Sequence, residues 1–316
     1  MIKTNKDQLK VLITGTNGLI TRSILHYLDR ENSTADVVLM GRNKNISINT
    51  NYISTTVVDY DDINFIPNQD LIIHTASPTS SEFFASKPVE TILDIITLSN
   101  KIAKLSATTG ARLVYLSSVE AYGNVDSERE LKEKDLGYID LQSTRSCYPE
   151  SKRISELICK CYETEYGLDY ICIRLAQTFG WGVDKNDNRV FSYISKKILN
   201  NEDIILCSKG ETYKDYISST DAASGIIHLA LNGQTGKTYN LSNEQNRCSI
   251  NDLCQIAMKV FGKNVEVIHQ ITENKKYPKE QKILLSCGEA RKVGFIPHDS
   301  LEQMFVDMIN YWNGSN

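Results

Sequence analysis

The segment Thr14-Gly15-Thr16-Asn17-Gly18-Leu19-Ile20-Thr21 constrains this 316-residue chain more than any other. It follows a short apolar run at residues 9–13 and opens a helical pattern that ends near Leu28, so it reads as strand, turn, helix. Gly15 permits a tight turn, and Gly18 lets a pyrophosphate approach backbone amides at the positive end of the helix. With Asn17, Leu19 and Ile20, these are the candidate dinucleotide-binding residues; a plain strand-to-helix turn is the alternative. Thr21 stands where the full pattern carries a third glycine, which predicts slightly wider packing of helix on strand.

Short apolar runs recur at 37–40, 56–58, 71–74, 113–117 and 171–175, with helical patterns between them. This alternation predicts an α/β fold with a doubly wound parallel sheet covered on both faces. Two long helices are expected at 88–108 and 149–166. Beyond Leu175 the pattern is less regular, with Gly180, Trp181 and Gly182 followed by a polar loop at 184–188. There the chain is expected to enter a smaller, interleaved substrate lobe, formed by 175–214 and 246–316, while 1–174 and 215–245 make the dinucleotide domain.

Composition removes several classes of function. A net charge of -4 with scattered Lys and Arg argues against extended nucleic acid. No run of 18 apolar residues occurs and residues 1–10 are polar, so neither a membrane span nor secretion is expected, and the protein reads as cytoplasmic. The eight cysteines form no C-x-x-C pair and no zinc spacing, so no metal is expected and free thiols are the simpler reading. Cys159 and Cys161, two apart on a helix, should point to different faces.

After the second strand, where a preference for NAD usually shows as an acidic residue, the chain has Gly41-Arg42-Asn43. Arg42 suits a 2′-phosphate and therefore NADP, or is a solvated loop arginine; NAD or NADP remains open at this point. Asp59 and Tyr60, directly after the third strand, and Ala76, after the fourth, complete the candidate cofactor contacts, with Asp59 suited either to the adenine amino group or to the turn.

Ser117-Ser118-Val119-Glu120-Ala121-Tyr122-Gly123 ends one expected strand, and Tyr148-Pro149-Glu150-Ser151-Lys152 begins an expected helix. Both fall at the carboxyl edge of the sheet, where open α/β folds bind ligands. Tyr148 and Lys152 are i and i+4, which places phenol and ammonium on one face and predicts a phenol pKa lowered by the cation. Tyr148 is then a base, Ser118 positions the reacting oxygen and Lys152 can hold a ribose; the bland alternative is a surface helix pair.

With these motifs the chain resembles the extended short-chain dehydrogenases that modify nucleotide sugars, a group of epimerases, 4,6-dehydratases, UDP-glucuronate decarboxylases and 4-keto reductases. The likeness runs nearly end to end, through Gly15 to Thr21, His74-Thr75-Ala76-Ser77, Ser118 to Gly123, Tyr148 to Lys152, and Tyr213 to Asp221. Ala76-Ser77-Pro78, Arg145-Ser146-Cys147-Tyr148 and Asn186-Asp187-Asn188-Arg189-Val190 are most similar to the decarboxylases. The resemblance implies a Rossmann-type sheet, NAD or NADP, a nucleotide-diphosphate sugar, a homodimer through a four-helix interface and a place in polysaccharide biosynthesis. It implies Glu120 as a second acid-base residue and substrate contacts from Thr79, Arg145, Gln177, Arg189 and Lys214. Three positions depart from it: Gln177 replaces an asparagine, Lys214 an arginine, and Val119 the dehydratases' aspartate. The expected reaction is hydride transfer at sugar C4, leading to decarboxylation, dehydration or epimerisation. An NADPH-dependent 4-keto reductase is the runner-up and a non-catalytic dinucleotide-binding protein the third reading.

Overall fold

The computed structural model of the protein describes residues 8–42, 53–66, 69–125, 129–271 and 282–314; Asn43 lies outside them. The chain runs β1 (Lys10–Thr14), α1 (Leu19–Arg30), β2 (Asp36–Met40), β3 (Ser54–Val58), β4 (Leu71–His74), α2 (Ser81–Ser86), α3 (Pro88–Thr109), β5 (Arg112–Ser118), α4 (Cys147–Tyr166) and β6 (Tyr170–Leu175). It continues through β7 (Gln177–Phe179), α5 (Val190–Leu199), β8 (Ile204–Leu206), β9 (Tyr213–Ser218), α6 (Ser219–Asn232) and β10 (Lys237–Leu241). The last elements are β11 (Asn243–Ser249), α7 (Ile250–Phe261), β12 (Val267–His269), β13 (Lys282–Ile283), α8 (Gly288–Lys292) and α9 (Leu301–Trp312).

Among the described residues, seven parallel strands form one sheet in the order β10-β6-β5-β4-β1-β2-β3. The cause is visible in the strands themselves, which are apolar on both faces. Val11 and Ile13 of β1, with Val37 and Leu39 of β2, line one side, where α1 and α6 pack. Leu12, Val38 and Met40 line the other, where α3 and α4 pack together. A strand buried on both sides needs a helical cover on each, and the crossover helices supply it. Strand order reverses at β1, which has β2 on one side and β4 on the other, so a crevice opens at their carboxyl ends.

A second, smaller sheet has the order β11-β9-β13, with β7 parallel to β9. Its core is aromatic: Phe179 stacks on Phe191 at 4.6 Å and meets Phe305 and Tyr216. Cys159 is buried and Cys161 exposed, as their spacing predicts. No helix among the described residues is long and apolar enough to cross a membrane, and none of their His, Cys, Asp and Glu side chains form a group of three or more able to hold a metal ion.

Candidate active site

The β1–α1 turn is built around Gly15, whose φ of +85° lies in the left-handed region that glycine reaches without strain. Its amide donates to Met40 O at 2.7 Å, and a Cβ here would stand 3.1 Å from Thr75 Oγ1 and 3.2 Å from Ala76 Cα. Gly18 has an ordinary φ of -66° and is exposed, so its lack of a side chain serves approach and not backbone strain. It caps α1 without a side-chain hydrogen bond, and the first turn contains no acid. The amides of that turn and the positive end of the helix dipole are therefore left for an anion, which is the fit expected for a dinucleotide pyrophosphate. Thr21 is wholly buried, and its hydroxyl donates to Gly15 O at 2.6 Å and lies 3.0 Å from Thr75 Oγ1, so the residue in the third glycine's place tightens the turn.

Beneath the turn, Thr14 Oγ1 accepts from Ala76 N at 3.0 Å and lies 2.7 Å from His74 Nδ1, while His74 Nε2 lies 3.2 Å from Ser99 Oγ. Burial, then the charge of Lys152, hold the imidazole pKa down at about 3. A neutral ring with its proton on Nε2 satisfies that chain of contacts. Asp59 follows β3 and receives Asp61 N at 3.5 Å, and Tyr60 comes next, its phenol pKa raised by burial. Arg42, in contrast, has a side chain 81% exposed that lies 3.9 Å from Asp94.

Ser118 ends β5 and Tyr148 occupies the first turn of α4, and the two meet. Tyr148 is 7% exposed, and its hydroxyl is close enough to Ser118 and Ser77 for both to lower its pKa. Its ring stacks on Phe84 of α2 at 4.3 Å. Lys152, 4% exposed, sends Nζ to Leu116 O at 2.9 Å and lies 5.7 Å from the Tyr148 ring centre.

The electrostatics correct one expectation. Burial, reinforced by the negative charge of Glu120, raises the Tyr148 pKa well above that of an ordinary phenol, while Ser118, Arg145 and Ser77 oppose the rise. The Lys152 ammonium is turned onto the Leu116 carbonyl and is itself desolvated, with a pKa brought down to about 7. Deprotonating this phenol thus depends on further positive charge in the cleft.

Arg145, just ahead of α4, directs Nη2 at Glu120, 2.9 Å from Oε2 and 3.2 Å from Oε1, and lies 5.2 Å above the Phe84 ring. Its Nε and Nη1 are buried without a hydrogen-bond partner. Lys214 on β9 joins the pair: desolvation lowers its pKa, the charge of Glu120 raises it and that of Arg145 lowers it. Gln177 pairs with Tyr216 on the same small sheet, half-buried at the start of β7. The structure therefore brings together Ser118, Glu120, Arg145, Tyr148, Lys152 and Lys214. It leaves Thr79 exposed ahead of α2. Arg189 is committed locally, with Nη2 on Asp187 at 2.7 Å, Nη1 on Thr178 O at 3.2 Å and its guanidinium over Phe191. A separate groove of about 370 Å³, lined by Asn246, Arg247, His298 and Asp299 among others, contains none of these residues.

Two contributors carried no distinguishing sequence signal as side chains. Ser77 belongs to the Ala76-Ser77-Pro78 turn; its hydroxyl donates to Pro78 O at 3.1 Å and acts to lower the phenol's pKa. Phe84 had to be found through packing, since one of two adjacent Phe in a six-residue helix looks like any core residue.

The model of the NAD dependent epimerase/dehydratase family matches residues 11–242, from β1 through the seventh strand of the sheet. The chain belongs to that family. Its curated relatives include UDP-glucuronic acid decarboxylase 1 of Xenopus tropicalis, 26% identical over 268 residues, which are 84% of this chain and 63% of that protein. The Danio rerio protein of the same name is 26% identical over 247 residues, 77% of this chain and 58% of the relative, so the chain spans roughly three fifths of these proteins. Among solved structures, the UDP-N-acetylglucosamine 4-epimerase from Methanobrevibacter ruminantium M1, in complex with UDP-N-acetylmuramic acid, superposes with a TM-score of 0.84 at 22% identity, covering 98% of this chain and 100% of that one. The UDP-glucuronic acid 4-epimerase from Bacillus cereus, in complex with UDP-glucuronic acid and NAD, gives 0.82 at 17%, with 98% and 100% covered. The family fold accounts for the turn, the sheet order and the small second sheet together.

Proposed function

We propose that the protein is a cytoplasmic NAD-dependent enzyme that oxidises and then reduces C4 of a nucleotide-diphosphate sugar, with the intervening step changing the sugar. The observation that carries this reading is the convergence of Tyr148, Ser118 and Ser77 beside an uncapped phosphate turn, with the under-partnered Arg145 facing Glu120. The turn residues Gly15, Asn17, Gly18, Leu19 and Ile20 would hold the pyrophosphate, with Asp59, Tyr60 and Ala76 near the adenosine half and Lys152 near the other ribose. Bound NAD supplies the hydride acceptor and a positive charge beside the phenol.

Tyr148 takes the proton from the C4 hydroxyl, whose oxygen is steered by Ser118 and Ser77, and returns it when the cycle closes. Arg145 offers two unspent N–H donors to an anionic group of the substrate. Glu120 lies across from it as the acid-base residue for the intervening step. Lys214 adds a cation at the same wall, and Gln177 and Thr79 border the small sheet and the loop before α2. Decarboxylation is favoured among the possible outcomes by the likeness to UDP-glucuronic acid decarboxylases and by this basic wall. Exposed Val89 and Leu93 on α3, with Ile154 and Leu157 on α4, suit a homodimer through a four-helix interface, which sedentary mass by light scattering checks.

The test is to denature purified protein, identify the released dinucleotide, and incubate fresh enzyme with UDP-, dTDP-, GDP- and CDP-sugars under mass spectrometry. Retained NAD and a product lighter by carbon dioxide from a uronic acid substrate is the expected result. Binding of NADPH alone, with a gain of two hydrogens on 4-keto sugars only, replaces the proposal with a reductase and gives solvent-facing Arg42 a 2′-phosphate to hold. No turnover of any sugar, with dinucleotide bound, leaves a binding protein.

A further inference from the structure

Arg22 has no place in the chemistry above, yet it is one of the most heavily committed side chains near the turn. It sits on α1 at 8% exposure. Its Nη1 donates to Asn17 O at 2.6 Å, while Nε and Nη2 donate to Gly182 O at 3.1 and 2.6 Å. Among the described residues, each of its nitrogens thus ends on a backbone carbonyl and its hydrogen bonds reach no carboxylate. A buried cation normally has an acid partner, because desolvating an unneutralised charge is costly. Here the compensation comes from carbonyl dipoles alone, and the full positive charge stays at the base of the turn.

The geometry explains what that arrangement fixes. The Asn17–Gly18 peptide is held from both sides, its carbonyl by Arg22 and its amide by Gly15 O at 3.2 Å. At the other end, Gly182 has φ +83°, and a Cβ there would stand 3.4 Å from Leu19 Cδ1, so the 180–183 loop lies directly on the first turn of α1. The neighbouring Trp181 stacks on His26, one helical turn beyond Arg22, at 3.8 Å. Ser219 Oγ holds Trp181 O at 2.6 Å. One guanidinium therefore ties the phosphate turn to the loop that follows β7 of the small sheet.

We propose that Arg22 is a positioning residue for the dinucleotide pyrophosphate: it fixes the Asn17–Gly18 peptide, and with it the first turn of α1 whose amides face the anion, adds positive charge at the base of the turn, and makes the 180–183 loop respond to cofactor. This rests on the family's cofactor and not on the identity of the sugar or the outcome at C4. An exposed arginine on a helix would do none of these things; burial and carbonyl partners distinguish it.

The experiment measures binding of NAD, ADP-ribose and adenosine by calorimetry to the cofactor-stripped protein, to Arg22→Met, Arg22→Lys and His26→Ala, beside melting temperature. Arg22→Met keeps most of the buried volume and is expected to weaken NAD and ADP-ribose by roughly ten- to hundredfold, with adenosine changed less than threefold. Arg22→Lys, which keeps the charge and loses the fork, should recover part of the loss. His26→Ala, which loosens Trp181 without touching the turn, should leave NAD binding within about threefold of the original. Hydrogen exchange of the 180–183 amides should slow on adding NAD to the original protein and not to Arg22→Met. Equal losses for adenosine and ADP-ribose, or a His26→Ala loss as large as that of Arg22→Met, would overturn the proposal in favour of a structural role. So would unchanged NAD affinity with only a lower melting temperature.

Discussion

Arg174 and Arg145 each face a glutamate, yet they complete the arrangement differently. Arg174, on β6, sends Nε to Glu156 Oε1 at 3.0 Å, Nη2 to Glu156 Oε2 at 2.7 Å and Nη1 to Glu133 O at 2.6 Å, and lies over the Tyr122 ring. Every nitrogen is used, and the fork matches the carboxylate in two parallel bonds. Arg145 places one nitrogen on both oxygens of Glu120 and leaves Nε and Nη1 buried without partners. An unsatisfied buried donor costs about 1–3 kcal/mol. Arg145 carries that cost beside the cleft, whereas the satisfied arginine lies between α4 and the sheet. The contrast distinguishes these two arginines without reference to any relative: Arg174 is complete in the free protein, and Arg145 keeps donors for what binds.

The comparison is sharpened most by removing the group that Arg145 faces in the chemistry. Tyr148→Phe should lower turnover by roughly 10²–10⁴ with NAD affinity and melting temperature unchanged, since the hydroxyl alone is lost and the Phe84 stack remains. Retained turnover would remove Tyr148 from the reaction. The two arginines can then be exchanged in role. Arg145→Ala should cost about a hundredfold in kcat/KM while leaving urea stability unchanged or slightly higher, because it removes two orphaned donors. Arg174→Ala should cost about 3–5 kcal/mol of stability by stranding Glu156, with turnover per folded molecule within about threefold at low temperature. If Arg145→Ala proves the less stable of the two, the distinction drawn from their partners is wrong.

What could be read from the chain divides along the same line. Six strands of the large sheet were legible because their information is local: each contains a run of β-branched and aliphatic residues, whereas the seventh, β10, reads Lys-Thr-Tyr-Asn-Leu and gave no such run. The fork of the phosphate turn and the i, i+4 pair Tyr148 and Lys152 were legible for the same reason. The small sheet was not, since β7 and β13 have two or three residues each, as do β8 and β12, which pair with each other, and the pairing is decided by partners far along the chain. The role of Arg22 was equally hidden. An arginine four residues after a glycine in a helix looks solvated, and only the fold places Gly182 O against it. The expected effect of Lys152 on Tyr148 failed because spacing reports which face a side chain shares and not where its charge ends.

Lys152 extends the comparison to a third buried cation and offers the smallest measurable effect. Its ammonium donates to Leu116 O and lies near the rings of Tyr115 and Tyr148, with the charge of Glu156 only partly offsetting desolvation, so its pKa in the folded protein is about 7 against 10.5 for the ordinary side chain. The groups facing it stay neutral between pH 7 and 9: His74 has its pKa near 3, and burial raises both phenols above their usual value. A depressed folded pKa means that the unfolded chain holds a proton that the native state has released. Stability from this group is therefore fully present above the unfolded pKa and is lost as pH falls through about 7. Urea unfolding of cofactor-free protein should show the original chain gaining on Lys152→Met as pH rises from 7 to 9, by at most about 1.4 kcal/mol per pH unit. Arg174 supplies the control, because a guanidinium paired with Glu156 keeps its proton throughout and Arg174→Met should shift the curve without changing its slope. A difference between the original chain and Lys152→Met that stays flat across the window would mean that the cleft solvates its lysine as well as water does, and that the cations of the site and of the framework differ only in their hydrogen bonds.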